Sequence, residues 1–451
     1  MNTLCKNDDR QRWSTDAAKS TSIAAPVALA GPSGDVTAPI SPAPGELPLS
    51  LDDTDGRRRI HFLDNLRAFV VFLVVLCHAG GVYESSGIWG TFWIVDDPAV
   101  NNLSGLVNIV LDIVMMPTLF FISGYLAPAS LRSQTGWAFI RARSVRLLLP
   151  WLIGTLTLLP LYKVIFLASR DLPQEHWTTY FHWSNGIWGQ NWLWFLPVLF
   201  GFNVLFLLLS KSRLRVPDIS VKQAIACALA IGLAYCLAMD ILGLRGWTKT
   251  FVLDFQNERL LIYFLAFLLG ALCFRRRVFE GRPQGRVLYH LVNSLAWVPV
   301  TAYIFFLLYP WFRPGSSIVS PVADKLILWL SYMFSLLCLA YAMIEAFRRY
   351  FNRAGSAWRV VNRNTYGVYV IHVIVMGVLG TILLHAPMPS LLKYVLLTVA
   401  TYAASLAAVH WGRKAISACR QPGLSAAAHN VVPQSGGVER TGRDGGTNRA
   451  G

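Results

Sequence analysis

Three polar side chains stand inside the first long apolar segment of the chain, which runs from Arg59 to His78. They are Asp64, Arg67 and His78. On a helix, a three-residue step keeps Asp64 and Arg67 on one face, and eleven further residues make about three turns. His78 therefore returns to that face about 16 Å beyond Arg67. A charge and an imidazole aligned at membrane depth are costly unless they face a cavity or a partner, so the stripe indicates a functional site.

His78 is the candidate for proton transfer. If the hydrocarbon layer begins near Arg67, His78 lies about halfway through an apolar core of roughly 30 Å. A neutral imidazole there can accept a proton from a hydroxyl group and act as a general base. Arg67 can bind an anionic group near the inner face, and Asp64 can cap the helix, pair with Arg67, or do both. A structural histidine between helices is the alternative, and the aligned stripe favours a functional role.

A second candidate cluster, Arg141, Arg143 and Arg146, precedes the third apolar segment. Arg143 and Arg146 share a helix face because three residues separate them. Such a pair beside a cavity would bind phosphate groups through bidentate contacts and positive charge. The same arginines also fit a plain topology signal, since basic residues collect in cytoplasmic loops. Both interpretations stay open.

Further polar residues lie within or beside other apolar spans. Ser123 lies in Phe120–Tyr125, where Ser-Gly permits close helix packing or a local break, and no Gly-x-Ser-x-Gly turn supports a nucleophile. His372 is a second intramembrane imidazole, which we interpret equally as a structural partner or as a catalytic group. His385 and His410 lie near span ends and are expected to be interfacial.

The predicted outer loops are rich in tryptophan, and Trp188, Trp192 and Trp194 close one long connection. An aromatic belt at the membrane interface explains most of these residues. The alternative for the segment 177–194, which is too long for a tight turn, is a binding loop. In that interpretation the three indoles form a platform that stacks against the substrate, a sugar ring.

Composition places the chain among membrane proteins. Of its 451 residues 54% are hydrophobic and 14% charged, where soluble domains average about 25% charged residues. The formal net charge is +16, but the basic residues cluster in short loops between apolar runs, which is a topology signal and no sign of nucleic-acid binding. The cysteines lie in apolar runs or in the tails, so we expect no disulfide framework and no metal site.

Ten apolar spans predict an all-α integral membrane protein in the lipid bilayer. The spans are 62–83, 105–127, 146–168, 192–209, 223–243, 259–274 (a short one), 288–309, 325–346, 366–386 and 390–411. Alternation of basic and acidic loops places both ends of the chain in the cytoplasm. The membrane domain is predicted at 59–411, and the polar, aperiodic segments 1–58 and 412–451 are predicted to be disordered cytoplasmic tails.

An ordered set of motifs resembles the acyltransferase-3 family of polytopic membrane enzymes. The set comprises Asp64 followed by Arg67-x10-His78, then Phe120-Phe-Ile-Ser-Gly, Arg143-x-x-Arg146-Leu-Leu-Leu-Pro-Trp, and Tyr366-Gly-Val-Tyr-Val-Ile-His372. These elements lie in the family's order on the corresponding spans, and the resemblance covers roughly residues 60–411.

The resemblance implies a ten-helix enzyme of the bacterial inner membrane. Such an enzyme takes an acyl group, acetyl or succinyl, from cytoplasmic acyl-CoA and passes it to a hydroxyl at the outer face. The acceptor would be a carbohydrate or a lipid-linked molecule. The resemblance also implies that His78 is catalytic, that Arg67 is its partner, and that Arg143 and Arg146 lie near the coenzyme.

Two departures concern one branch of the family. Asn191-Trp-Leu-Trp-Phe-Leu196 is similar to a His-x-Trp-Phe-Leu segment of the branch that succinylates periplasmic glucans, but Trp192 stands where that branch has His. Met115-Met-Pro117 lacks the Arg that usually precedes Met-Pro there. Both departures weaken the expectation that the chain succinylates glucans. The alternative from another class is a secondary transporter or flippase of a sugar or lipid, which usually shows two related halves, and the sequence has no convincing internal repeat.

Overall fold

The computed structural model describes residues 60–84, 93–181, 190–212, 218–250, 252–281, 283, 285–353 and 355–420. All of them belong to the compact unit Ile60–Gly451. This part of the chain is helical apart from one small hairpin, which confirms the predicted all-α class. The predicted tail 1–58 and the middle of the long aromatic connection, residues 182–189 with Trp188, lie outside the described residues.

The elements follow one another along the chain without a larger sheet. The helices are α1 (His61–Tyr83), α2 (Asn102–Arg132), α3 (Gly136–Arg143), α4 (Leu149–Ala168), α5 (Phe195–Lys211), α6 (Val221–Ile241), α7 (Leu260–Arg275), α8 (Arg286–Leu295), α9 (Trp297–Phe312), α10 (Pro321–Tyr350), α11 (Ser356–Leu383) and α12 (Ser390–Arg420). A π turn (Ser144–Leu148) joins α3 to α4, and short 3₁₀ turns occupy Trp177–Phe181 and Asn191–Trp194. Strands β1 (Trp247–Lys249) and β2 (Asp254–Gln256) pair antiparallel between α6 and α7.

Nine helical segments of the described chain are long and apolar enough to cross a membrane, and α7, with 16 residues, is a shorter apolar helix. One of the nine, Gly136–Ala168, combines α3, the π turn and α4, and another, Arg286–Phe312, combines α8 and α9. These ten segments correspond in order to the ten predicted spans. The one predicted to be short, 259–274, is α7.

The structure corrects one predicted boundary. Helix α12 continues to Arg420, so residues 412–420 belong to the helix and do not form the start of the predicted tail. The segment 413–420 reads Arg-Lys-Ala-Ile-Ser-Ala-Cys-Arg, which has no glycine or proline and contains good helix formers. Basic residues near a helix C-terminus also interact favourably with the helix dipole. Residues 421–451 lie outside the described chain.

Helix α1 occupies a central position and packs against α2, α10, α11 and α12. Within its most apolar window 67% of the residues are buried, compared with 17% for α6. A helix enclosed by other helices directs its polar side chains at protein and not at lipid. This packing is what allows α1 to carry a charge pair and an imidazole.

Helices α2 and α7 approach each other backbone to backbone. A Cβ atom on Gly124 would overlap the carbonyl group of Phe267, and one on Gly270 would overlap the carbonyl oxygen of Phe121. Small residues permit this spacing between membrane helices. The contact shows the close packing that Ser123-Gly124 predicted, and Ser123 itself is half-buried on α2.

The hairpin between α6 and α7 fixes the 3₁₀ turn that precedes α5. The buried carboxylate of Asp254 accepts the backbone N–H of Gln190 at 2.6 Å and that of Thr250 at 3.1 Å. Burial raises the pKa of the Asp254 carboxyl, and the two N–H donors oppose that shift. The side chain of Gln190 in turn accepts from the indole N–H of Trp151 at 3.2 Å. The start of the Asn191–Trp194 turn is therefore held from two sides.

Candidate functional site

The imidazoles of His78 on α1 and His372 on α11 form a hydrogen-bonded pair. Nδ1 of His78 lies 2.7 Å from Nε2 of His372, and the ring planes are nearly parallel, with an angle of 3° between them. His372 is fully buried, whereas His78 is half-buried. The packing of α11 along α1 thus brings together two candidate residues that lie almost three hundred positions apart in the sequence.

A backbone contact determines where the protons of this pair lie. Nδ1 of His372 is 2.7 Å from the carbonyl oxygen of Tyr369, which can only accept, so Nδ1 donates. With both rings neutral, Nε2 of His372 is then an acceptor and receives the proton of Nδ1 of His78. Nε2 of His78 is left with its lone pair. An imidazole in this tautomer can take a proton from a hydroxyl group.

Trp93 covers the pair at the end of α1 that is predicted to face outwards. Its indole N–H donates to the backbone carbonyl of His78 at 2.9 Å, and its ring lies 5.0 Å from the imidazole, centroid to centroid. Ile94 is fully buried and fits against Gly377 of α11, where a Cβ atom would clash with it. Arg170 donates to the Trp93 carbonyl at 3.0 Å. Trp93 was not among the predicted site residues, because its only sequence signal is an aromatic residue in a predicted outer loop.

A buried ion pair holds the same covering segment. Nζ of Lys393 on α12 lies 2.9 Å and 3.2 Å from the two carboxylate oxygens of Asp97, and the side chains are 3% and 0% exposed. Lys393 also donates to the carbonyl of Leu384 at 3.1 Å. A buried charge of either sign is costly without a partner, so this pair fixes the segment on α12. Neither residue was among the predicted site residues.

Asp64 and Arg67 pair within the first turns of α1. A guanidinium nitrogen of Arg67 lies 3.1 Å from a carboxylate oxygen of Asp64, and the side chains are 29% and 18% exposed. Ile60 is the N-cap, and the first-turn N–H of Phe62 donates to the Asn352 side chain at 3.2 Å, whereas Asp64 pairs with Arg67. Because α1 is uninterrupted, Arg67 and His78 lie about three turns apart on one stripe.

The arginines predicted to bind phosphate surround the π turn between α3 and α4. Arg141 and Arg146 are exposed, and the half-buried Arg143 has its guanidinium 5.2 Å from the centre of the Phe139 ring. The carbonyl of Arg146 accepts from the Tyr366 hydroxyl at 2.8 Å. That bond attaches the π turn to α11, the helix that carries the second imidazole. Single π turns inside helices are frequent at functional sites.

Trp192 and Trp194 are interior residues, 3% and 9% exposed. The indole N–H of Trp192 donates to the Val370 carbonyl at 2.9 Å, and the Tyr369 hydroxyl donates to the Trp192 carbonyl. The exposed stacking platform predicted for these two residues is therefore wrong, because neighbouring helices cover their apolar faces. Trp188, the third member, lies outside the described residues.

The same contacts give Trp192 a different place in the site. It joins the 3₁₀ turn to α11 next to Tyr369, whose carbonyl orients His372. Within the described ranges, no group of three or more His, Cys, Asp or Glu side chains could hold a metal ion. The candidate residues are therefore the two imidazoles, the Asp64–Arg67 ion pair on α1 and the arginines near the π turn, which is joined to α11 through Tyr366.

Comparison with protein families gives a match over most of the chain. A model described as an acyltransferase domain, that of the acyltransferase-3 family, matches residues 60–410. No curated protein and no solved structure matches the chain. The matched range includes both histidines, the pair on α1 and the arginines near the π turn.

Proposed function

Because the chain belongs to the acyltransferase-3 family, we propose that it is a membrane O-acyltransferase in which His78 acts as the general base. The donor is cytoplasmic acyl-CoA that carries an acetyl or a succinyl group. The acceptor is a hydroxyl of a carbohydrate or a lipid-linked molecule at the outer face. The observation that carries this proposal is the 2.7 Å contact between His78 and His372, since it leaves Nε2 of His78 as the free basic nitrogen.

The reaction step uses this nitrogen directly. Nε2 of His78 accepts the proton of the acceptor hydroxyl while the hydroxyl oxygen attacks the carbonyl carbon of the thioester. The new C–O bond forms, the C–S bond breaks, and the coenzyme leaves as a thiolate. The imidazolium of His78 then gives the proton to the thiolate sulfur. The products are the ester and the CoA thiol, the histidine is regenerated, and no metal is needed.

His372 acts in this scheme as a positioning residue. It does not touch the reacting groups, but it accepts the Nδ1 proton of His78 and so holds that ring in one tautomer and one orientation. A buried partner on the far nitrogen of the catalytic imidazole has this effect in other acyl-transfer sites. The Tyr369 carbonyl holds the His372 ring in one tautomer and one orientation in the same way.

The donor side lies towards the predicted cytoplasmic end of α1. Arg67 binds an anionic group of the donor there, and Asp64, 3.1 Å away, orients its guanidinium. Arg141, Arg143 and Arg146 bind the phosphates of the coenzyme, which the exposure of Arg141 and Arg146 supports. With both termini in the cytoplasm of a bacterium and the helices in its inner membrane, the donor reaches these arginines directly.

A transfer assay tests the proposal. Purified full-length protein in lipid nanodiscs is given radiolabelled acetyl-CoA or succinyl-CoA together with a panel of sugars and a lipid-linked saccharide extract. We expect label in an ester product and release of CoA thiol, both reduced at least about 100-fold by His78→Ala. His385→Ala is the matched control, because His385 is exposed and follows α11 at the opposite end from the arginines. If neither the wild type nor His78→Ala transfers label, and if sugar or lipid flux survives His78→Ala, the protein is a transporter instead.

A further inference from the structure

A groove rich in basic residues lies between the N-terminal part of α11 and the C-terminal part of α12. It consists of two adjoining cavities of about 350 Å³ each, a volume within the range of small-ligand sites. The side chains of this basic groove that carry the argument are Arg359, Arg363, Asn364, His410, Arg413 and Lys414. None of the lining residues is acidic.

The charges of the basic groove are not neutralised by the described protein. Among the described residues, no carboxylate forms an ion pair with Arg359, Arg363, Arg413 or Lys414. The bond from Arg413 to the backbone carbonyl of Arg363, at 2.8 Å, joins the two helices and leaves the charge in place. Four cationic side chains along the two adjoining cavities create a positive potential that attracts an anion.

Asn364 adds a buried polar atom to the lining. It is 1% exposed, and its NH₂ group donates to the Val360 carbonyl at 2.8 Å and lies 3.4 Å from Nδ1 of His410. Its carbonyl oxygen Oδ1 is buried and has no hydrogen-bond partner among the described residues. A buried acceptor without a donor is unfavourable, and a hydroxyl of a bound molecule would satisfy it.

Helix geometry shows that the groove opens away from the imidazole pair. On α11, Asn362 donates to the side chain of Asn65 at 2.7 Å and so faces α1, as His372 does. Arg363 precedes His372 by nine residues, which at about 100° each places it on the opposite side of α11. The basic groove is therefore separate from the path between Arg67 and His78.

An exposed tryptophan marks the depth of the groove in the membrane. Trp411 on α12 is 64% exposed, lies against the His410 ring at 5.8 Å between centroids, and has the Lys414 ammonium 4.7 Å from its ring centre. Exposed tryptophans at the ends of membrane helices lie at the level of the lipid headgroups. The groove thus meets the leaflet at the headgroup region.

We propose that the basic groove binds the headgroup of an anionic phospholipid that also carries a hydroxyl. Arg359, Arg363, Arg413 and Lys414 bind the phosphate, and the free Oδ1 of Asn364 accepts a headgroup hydroxyl. Basic pockets between membrane helices on the cytoplasmic side bind such headgroups through the same charges. The lipid is favoured over the polyphosphate of a soluble coenzyme because the exposed Trp411 beside the groove places it at the level of the headgroups. This proposal does not rest on the proposed acyl transfer.

Lipid titration of the full-length protein tests this site. Phosphatidylglycerol, which has both the phosphate and hydroxyls, is added to the purified protein in detergent, and bound lipid is counted by native mass spectrometry. Phosphatidylcholine is the reference lipid. We expect Arg363→Gln/Arg413→Gln/Lys414→Gln to weaken phosphatidylglycerol binding about 100-fold, since each basic group near an anionic lipid contributes about fivefold. Lys414→Gln alone should weaken it about fivefold and serves if the triple variant unfolds.

The matched control removes as much charge from another basic surface. Arg275→Gln/Arg277→Gln/Arg286→Gln changes three exposed residues at the ends of α7 and α8. Binding that the control leaves unchanged supports a built site. An equal loss in groove and control variants overturns it, because the lipid would then respond to net charge alone. Displacement of bound phosphatidylglycerol by CoA or inorganic phosphate at micromolar concentration would assign the groove to a soluble phosphate compound instead.

Discussion

Two buried polar assemblies lie in different parts of the helix bundle, and they differ in what they leave free. Between α1 and α11, His78 and His372 share one hydrogen bond, and the first of them is half-buried. Between α2 and α7, the guanidinium of Arg259 pairs with the Asp112 carboxylate and lies 5.0 Å from the centre of the Tyr332 ring. Arg259 is only 5% exposed.

The difference concerns the role of each assembly. Arg259 also donates to the backbone carbonyl of Asp112 at 3.2 Å and to the Tyr303 hydroxyl at 3.4 Å, so its contacts connect three helices. Opposite charges that bind each other this closely stabilise an arrangement of helices and have little capacity left for a ligand. The two imidazoles leave one nitrogen, Nε2 of His78, for a reacting molecule. Burial of polar groups alone does not therefore identify a catalytic site.

Replacement of His78 should have the largest effect. His78→Gln keeps the volume and a polar end but removes the basic nitrogen, so we expect the rate of acyl transfer to fall by up to about 10⁴-fold. The measurement is label transfer per folded protein, with the thermal unfolding midpoint as the control. A variant that retains more than a tenth of the wild-type rate would show that His78 is not the base.

Replacement of Arg259 should lower the stability and leave the transfer rate nearly unchanged, which is the opposite of the effect expected for His78. Arg259→Met removes the buried guanidinium and leaves the Asp112 carboxylate, whose side chain is 20% exposed, without its partner, which costs about 1–3 kcal/mol of the free energy of unfolding. Denaturant titration in mixed micelles measures this loss. The transfer rate per folded molecule should change less than about threefold, and Arg259→Met/Asp112→Leu should recover most of the stability. A loss of activity with full stability would move the second assembly into the catalytic machinery.

Replacement of His372 tests the positioning role. His372→Phe removes the acceptor for Nδ1 of His78, so we expect kcat to fall about 100-fold while KM for the donor stays within about twofold. His372→Gln keeps an acceptor oxygen and a donor nitrogen and should recover part of kcat. Equal rates for the two variants, or a change in KM alone, would contradict a role exerted through His78.

Replacement of Trp93 should have the smallest effect. Trp93→Phe keeps an aromatic cover over the imidazole but removes the N–H that donates to the His78 carbonyl at 2.9 Å. One neutral hydrogen bond contributes about 1 kcal/mol, so we expect a comparable loss of stability and a rate about two- to fivefold lower. Steady-state kinetics together with thermal unfolding measure both. Complete inactivation would mean that Trp93 itself contacts the substrate.

Whether the sequence could predict a contact depends on how far apart its two residues lie along the chain. The stripe of Asp64, Arg67 and His78 follows from the period of one helix, and the structure retains it because α1 is continuous. The contact with His372 joins α1 to α11, and no local pattern specifies which faces of two distant helices meet. The sequence therefore presented His372 as an intramembrane imidazole of open role.

Aromatic residues show the same limit in another way. Trp192 and Trp194 have the composition of an exposed interface loop, yet the hairpin contact at Asp254 and Gln190 draws their turn into the bundle. Burial of an indole depends on the elements that pack over it, and those elements come from distant segments. Likewise, the Asp97–Lys393 pair links a connecting segment to α12, and no local sequence pattern predicts this contact.

The most direct test of the central claim is the protonation of the His78 ring. Histidine labelled with ¹⁵N in the full-length protein, reconstituted in lipid at neutral pH, is observed by solid-state NMR, with His78→Gln and His372→Gln used to assign the signals. The account predicts a protonated Nδ1 and an unprotonated Nε2 for His78, together with a protonated Nδ1 for His372. A His78 ring that carries its proton on Nε2 would contradict the account, since the nitrogen assigned to accept the hydroxyl proton would have no lone pair.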